Sequence, residues 1–255
     1  MTMFFGRFAD SYRPTFGRSL HSELMKLNTR SIQVTAAIGI ILYGLIMWML
    51  ASSEYVEADP LVVTAGWPSM TIFFIVIGTV AVTSEYSHNT MRTTVLADPR
   101  RGRSFTAKLT AVTIVSLLLS ATLITIGYTL TRILKDGFNP GGEAIAAYSI
   151  FCIIMVSIGV LSTAMGYLVR STAGAISIMI GFMYLIDLVQ IIPQEFFRKT
   201  VSQLIPSALG SVAISDQPLG DLITGRWVAL AIFVGYAVVA VSYTHLRAHE
   251  TLRYL

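Results

Sequence analysis

Cysteine is almost absent: Cys152 stands alone in 255 residues, so neither an intrachain disulfide nor a cysteine-based metal cage can form. Charge is scarce as well, at 13% of residues where a soluble domain carries roughly a quarter, while 54% are hydrophobic and the mean hydropathy is +0.69. That balance excludes an ordinary soluble domain and marks an integral membrane protein. No Gly-Lys dipeptide occurs, so the chain has no P-loop with which to cradle nucleotide phosphates. None of the four histidines lies in an apolar run, and no Ser-His-Asp or two-carboxylate arrangement is brought together, which leaves a hydrolase little footing. The net charge of +4 could suggest nucleic acid, but the basic residues sit at the ends of apolar runs, where topology accounts for them. Nucleic acid is set aside.

What the chain has in abundance is apolar run. Ile32 to Leu50 is free of charge, and at about 1.5 Å per residue it crosses a hydrocarbon core of about 30 Å. Comparable runs follow at 61–82, 109–130, 144–168 and 173–192. A last one, from Leu222 or Trp227 to Val241, keeps only about 15 clean apolar residues beyond Arg226. The 51–60 loop carries Glu54, Glu57 and Asp59 and no Lys or Arg, whereas thirteen of the eighteen Lys and Arg fall on the opposite side. The positive-inside rule then predicts six spans with both termini cytoplasmic. The first apolar run begins too late and runs too long for a secretory signal, so no cleavage is expected.

Residues 1–31 form a polar, basic N-terminal segment, with Leu20, Leu24 and Leu27 at helical spacing opposite Glu23 and Lys26, as in a helix lying flat in the interface. Residues 32–242 form the membrane domain. Within it, Gly159-x-x-x-Thr163 and Ser162-x-x-x-Gly166 suit close backbone approach in the fourth and fifth spans, which the short turn at 169–172 makes antiparallel neighbours. The 193–221 stretch is too polar to span, and its stripe of Phe196, Phe197, Val201, Leu204 and Ile205, broken by Pro206 and followed by a patch reaching Ile214, predicts two short helices at the outer surface. At 243–255 the character changes abruptly, and the ending looks like an adaptor-derived tail. His245 and His249 stand four apart as paired metal ligands do, yet no third ligand is in sight and Glu250 is misplaced for His-Glu-x-x-His, so no metal is expected.

The longest polar interval between two apolar blocks runs from Thr83 to Lys108, and its five Arg and Lys put it in the cytoplasm. Thr83 or Ser84 is placed to cap a helix, with Glu85 in the first turn, Arg92 toward the other end and Asp98-Pro99 as the stop, so a helix from Glu85 to about Leu96 is expected. Glu85-Tyr86-Ser87-His88-Asn89-Thr90-Met91-Arg92, with Pro99-Arg100-Arg101-Gly102-Arg103 beyond, resembles the Glu-Tyr-Arg-x-Gly-Thr-x-Arg loop of type-2 ATP-binding-cassette (ABC) exporter permeases. Asn89 stands where many members have Gly, and Ser87-His88 replaces a more basic pair. Ser22-Glu23-Leu24-Met25-Lys26-Leu27 is similar to the Ser-Glu-x-x-Lys-Leu segment before the first span of that family, and the outer helices resemble its hairpin before the last span. The resemblance covers about Ser22 to Val241.

It implies an all-α integral membrane protein with six transmembrane helices, an N-terminal interfacial helix, a cytoplasmic coupling helix and short outer helices before the last span. It further implies a permease subunit of the cytoplasmic (inner) cell membrane, moving a drug, antibiotic, lipid-like or peptide substrate. Glu85, Tyr86, Thr90, Arg92, Arg100 and Arg101 would then couple to a separate cytoplasmic ATPase, which binds ATP and Mg. The chain itself would hold no cofactor and would pair with a second permease subunit among membrane lipids. Asp187 is the one ionisable residue inside an expected span. An intramembrane carboxylate costs about 2.5–3.5 kcal/mol on insertion scales, so it faces the bundle interior or water: it lines a substrate path, or it sits hydrated at the outer interface near Gln190. Two other readings stay open, an ATP-independent proton-coupled carrier using Asp187 and a membrane anchor without transport.

Overall fold

The computed structural model describes residues 15–56, 59–88, 90, 101–185, 195–196, 200–218 and 225–250, with the backbone alone at 101 and 247–250. Among the described residues all regular structure is helical. In chain order these are α1 (Phe16–Leu27), α2 (Arg30–Ser52), a 3-10 segment (Pro60–Thr64), α3 (Trp67–Ser87), α4 (Arg101–Leu134), α5 (Gly142–Val169), α6 (Thr172–Met183), a second 3-10 segment (Ser202–Leu204), α7 (Pro206–Ser215) and α8 (Arg226–Glu250). Among the described residues, five helices are long and apolar enough to cross a membrane: Arg30–Ser52, Pro60–Ser87, Gly102–Leu134, Gly142–Val169 and Arg226–Leu246. This is the architecture of a multi-pass membrane protein.

The centre of the bundle is the pair α3 and α5, which carry Met70, Phe74, Ile75 and Ile77 against Phe151, Ile154, Met155 and Ile158, all 1% exposed or less. Lipid offers no hydrophobic drive between helices, so close packing and interhelical hydrogen bonds must hold them. Here the backbones touch. A Cβ added at Gly78 of α3 would lie 2.3 Å from the Gly159 carbonyl oxygen of α5, and Thr163 Oγ1 donates to the Gly78 carbonyl at 3.1 Å. Gly166 sits under Thr79 and Val82 in the same seam. The small residues of the fourth span therefore face the second span, not the fifth as their position beside the short turn had suggested. Gly159 also faces Ser116 of α4, whose Oγ would lie 2.6 Å from an added Cβ.

Arg170, with φ 57° in the left-handed region, ends α5, and Ser171 Oγ accepts from the Gly174 amide to start α6. Thr172 Oγ1 at the start of α6 donates to Thr83 Oγ1 near the end of α3, and Tyr184 just past α6 donates to the Pro68 carbonyl at the start of α3. Thus α6 runs antiparallel to α3 and covers most of its height.

At the other end of α3, side chains satisfy the loop backbone. Tyr43 donates to the Val63 carbonyl, Tyr148 to Pro60 at 2.9 Å, and Lys135 to the carbonyls of Ser53 and Val56. Helix α7 packs into the bundle: Pro206, Ala208, Leu209, Gly210, Val212, Ala213 and Ile214 are buried. Small residues let it in, since a Cβ on Gly210 would lie 2.5 Å from Trp67. Asp216 then links α7 to α8, its Oδ1 accepting from the Arg226 amide and its Oδ2 lying 3.0 Å from Arg226 Nε. The last helix runs unbroken across the boundary expected at 242/243, with Thr244 buried.

Gly78→Ala should destabilise the bundle by about 1–3 kcal/mol, since backbone lies where the new methyl must go. Gly235→Ala, with nothing within 4 Å, should be neutral or stabilising by up to about 1 kcal/mol. Reversible unfolding of both variants in mixed micelles measures the difference.

Candidate functional site

Three elements meet at the end of α3 that carries Glu85. Helix α3 winds on past Val82 because Thr83-Ser84-Glu85-Tyr86 contains no breaker, and Thr83 Oγ1 turns back to the Thr79 carbonyl at 3.0 Å instead of capping a new helix. Glu85 therefore stands in the last turn of a long helix, not in the first turn of a short one. A carboxylate at a helix C-terminus opposes the dipole and needs cations. It has two: Glu85 Oε1 accepts from Lys108 Nζ at 2.6 Å and from Lys26 Nζ at 3.0 Å.

Lys108 comes from the second turn of α4, and Lys26 from α1. Lys108 Nζ also lies 2.6 Å from Glu23 Oε2 and donates to the Ala81 carbonyl at 3.1 Å, while Lys26 Nζ lies 2.7 Å from Glu23 Oε1. The result is a closed ring of two acids and two bases in which each contact joins opposite charges. The side chains of Lys108, Glu23 and Glu85 are 3%, 4% and 7% exposed, and that of Lys26 is 35% exposed. Burial alone would lower the Lys26 pKa, but the hydrogen bonds to Glu23 and Glu85 outweigh it and hold the pKa above the ordinary 10.5. The Lys26 contribution is therefore complete below about pH 10 and is lost only as pH rises through that raised value.

Aromatic groups close the rim around the ring. Arg170 at the end of α5 places its guanidinium 5.7 Å from the Tyr86 ring centroid. The Phe105 ring lies between those of Tyr167 at 5.2 Å and His245 at 5.7 Å, tilted against each, which brings α5 and α8 to the start of α4. The Thr90 amide donates to the Glu85 carbonyl at 3.0 Å and the His88 amide to Ser84 at 3.1 Å, finishing the helix.

Of the residues expected to meet an ATPase, Glu85 faces the bundle and is 5% exposed, Tyr86 faces Arg170, and Thr90 bonds the Glu85 carbonyl. Arg101 opens α4 with its backbone alone described, while Arg92, Arg100, Asp187 and most of the helix expected over 85–96 lie outside the described residues. Sequence reading placed Glu23 opposite the leucine stripe of α1. It shares the buried face with Leu27, because residues four apart stack on one side of a helix. In the sequence Lys108 reads only as a cytoplasmic charge. Its signal was present: Phe105, Lys108 and Val112 recur at helical spacing, and the two apolar members are buried with it.

Compared with known proteins, the chain matches no family model and no curated sequence.

Removing one member of this ring leaves a buried charge without its counterpart. Lys108→Met should therefore lower unfolding stability by about 3–5 kcal/mol. Adding Glu85→Gln should recover more than half of the loss. Paired unfolding curves in detergent, with membrane abundance alongside, give both values.

Proposed function

We propose that the chain is the membrane-spanning permease subunit of a type-2 ABC exporter, in which a separate ATPase drives the cytoplasmic loop between α3 and α4. The observation that carries this reading is the ring of Glu23, Lys26, Glu85 and Lys108. It ties α1 to both stems of the loop, so force applied to that loop reaches the bundle through short, buried ion pairs. Two segments that separately resemble the family, one around Glu23 and Lys26 and one around Glu85, are in direct contact through Lys26 and Glu85.

Force on the α3 end is passed on by the backbone seam with α5 and by the Thr83–Thr172 hydrogen bond to α6. In this reading α6 is the first part of the fifth of six spans, supported by its antiparallel course along α3, and the buried α7 belongs to the hairpin before the last span. The coupling helix lies in the 85–96 stretch. Because Glu85 is taken up by the ring, the groups that meet the ATPase are Thr90, Arg92, Arg100 and Arg101, with Tyr86 and Arg170 holding the stem. A second permease subunit completes the path, both termini are cytoplasmic, and the membrane is the inner one.

Full-length chain extracted in mild detergent should capture an ATP-hydrolysing partner from its own cells. Replacing Thr90, Arg92, Arg100 and Arg101 together by Ala should reduce that capture at least tenfold at unchanged membrane abundance. Equal capture by the variant would remove the coupling role of the loop, and absence of any ATPase from the native preparation would favour the proton-coupled reading through Asp187.

Orientation is tested by placing single cysteines in a Cys152→Ser background. Cysteines at Ser53 or Asn139 should react with an impermeant maleimide added outside intact cells, and one at Ser104 should react only after permeabilisation. Labelling of Ser104 in sealed cells would reverse the topology.

A further inference from the structure

The ring of four charges divides in a particular way between α1 and the bundle. Glu23 and Lys26 are both on α1, three residues apart and 2.7 Å from each other. Glu85 and Lys108 are both on the bundle, 2.6 Å apart, with Lys108 also held by the Ala81 carbonyl at 3.1 Å. Among the described residues, two ion pairs of the ring cross between the halves, Glu23 with Lys108 at 2.6 Å and Lys26 with Glu85 at 3.0 Å. Breaking a buried ion pair is ordinarily prohibitive because it strands a charge in a poor solvent. Here, separation leaves two pairs that are each neutral and each already in contact.

The apolar side of α1 follows the same logic. Leu20, Leu24 and Leu27 pack against the core, while Phe16 and Met25 on the same helix are exposed at 44% and 62%. At a membrane surface an amphipathic helix can exchange a protein contact for the acyl boundary without exposing its leucines to water. The link to α2 is two residues, Asn28 and Thr29, so a pivot is provided between two stiff helices.

We propose that α1 is a detachable arm, docked on the α3–α4 stem by two ion pairs and built to leave it for the membrane surface with no unpaired charge on either side. Undocking frees Glu85 and Lys108 from α1 and loosens the stem while the α3–α5 seam stays closed. The inference rests on the membrane reading of the helices, and it holds whatever supplies the energy.

The charge pattern supplies its own test. Because each contact in the ring joins a Lys to a Glu, swapping the charges within α1 (Glu23→Lys with Lys26→Glu) keeps the arm self-paired but sets like charges across both junctions. Swapping within the stem (Glu85→Lys with Lys108→Glu) does the same from the other side, and making both swaps restores all four attractions. Spin labels on cysteines replacing the exposed Ser22 and Thr106, in a Cys152→Ser chain in lipid nanodiscs, report the arm-to-stem distance. A second pair at Ile133 and Val239 reports the bundle.

The native chain should show one short, narrow arm-to-stem distance. Either double swap should reduce that docked population at least tenfold, the fourfold swap should return it to within twofold of native, and the bundle distance should not change in any variant. The proposal is overturned if the double swaps keep the native distance or if the fourfold swap stays open. It is overturned equally if the α1 swap fails to insert or shifts the bundle pair, since the arm would then be a structural part of the fold.

Discussion

A charge held out of water must be met by an opposite charge at contact distance, and Lys108 is the place where this chain obeys that constraint most strictly. Its ammonium is buried at the start of a helix that goes on to cross the bilayer, and it is matched by two carboxylates and a carbonyl. Much of the surrounding geometry follows. Glu85 must reach it, so α3 continues past the apolar core; Glu23 must reach it, so α1 turns a polar residue toward the interior. Lys26 then supplies the fourth charge and makes the ring neutral. Hydrophobic side chains of similar volume would hold three helix ends together at least as firmly. Ionic matching adds register: only one placement of α1 satisfies all four groups at once.

The rest of the molecule divides into a part that is hard to deform and a part that is not. Along α3 and α5 the backbones meet at Gly78 and Gly159, and hydroxyls such as Thr163 bond across the seam, so sliding would sacrifice both contact and hydrogen bonds. The end of α3 at Trp67 is stiffened by side chains that bond loop carbonyls and by α7 packed on Trp67. The opposite rim is held by ion pairs, a cation over a ring and tilted aromatic contacts. The proposed permease role would use this distribution, with a stiff seam to carry displacement and an adaptable rim to receive it.

Local composition specified the membrane class and the course of the long helices. Runs such as 32–50, 61–82, 109–130 and 144–168 are apolar all round, and in lipid a backbone with no water to bond must satisfy itself as a helix. The helices of the structure are longer than those runs, with α4 extending to 34 residues and α3 to Ser87, because polar residues without a breaker prolong a helix once it is nucleated. The presence of a helix before the first long one and of helical structure after Pro206 was equally legible, from leucine spacing and from the pattern around the proline.

Which faces meet was decided only in three dimensions. Gly159, Thr163 and Gly166 announce a close contact but carry no address, and the partner was α3, four-score residues upstream, because small side chains fit any backbone that presents a matching groove. Glu23, Lys26 and Glu85 stand in family-like segments and Lys108 at the edge of an apolar run, but nothing local separates a solvated charge from one that will be buried beside its opposite. The sequence by itself determined a helical, multi-pass membrane protein with a basic loop between its second and third long helices. The tertiary structure alone decided that the stems of that loop and the N-terminal helix are one electrostatic unit, since pairing depends on distance in space and the interacting residues are as much as 85 positions apart along the chain.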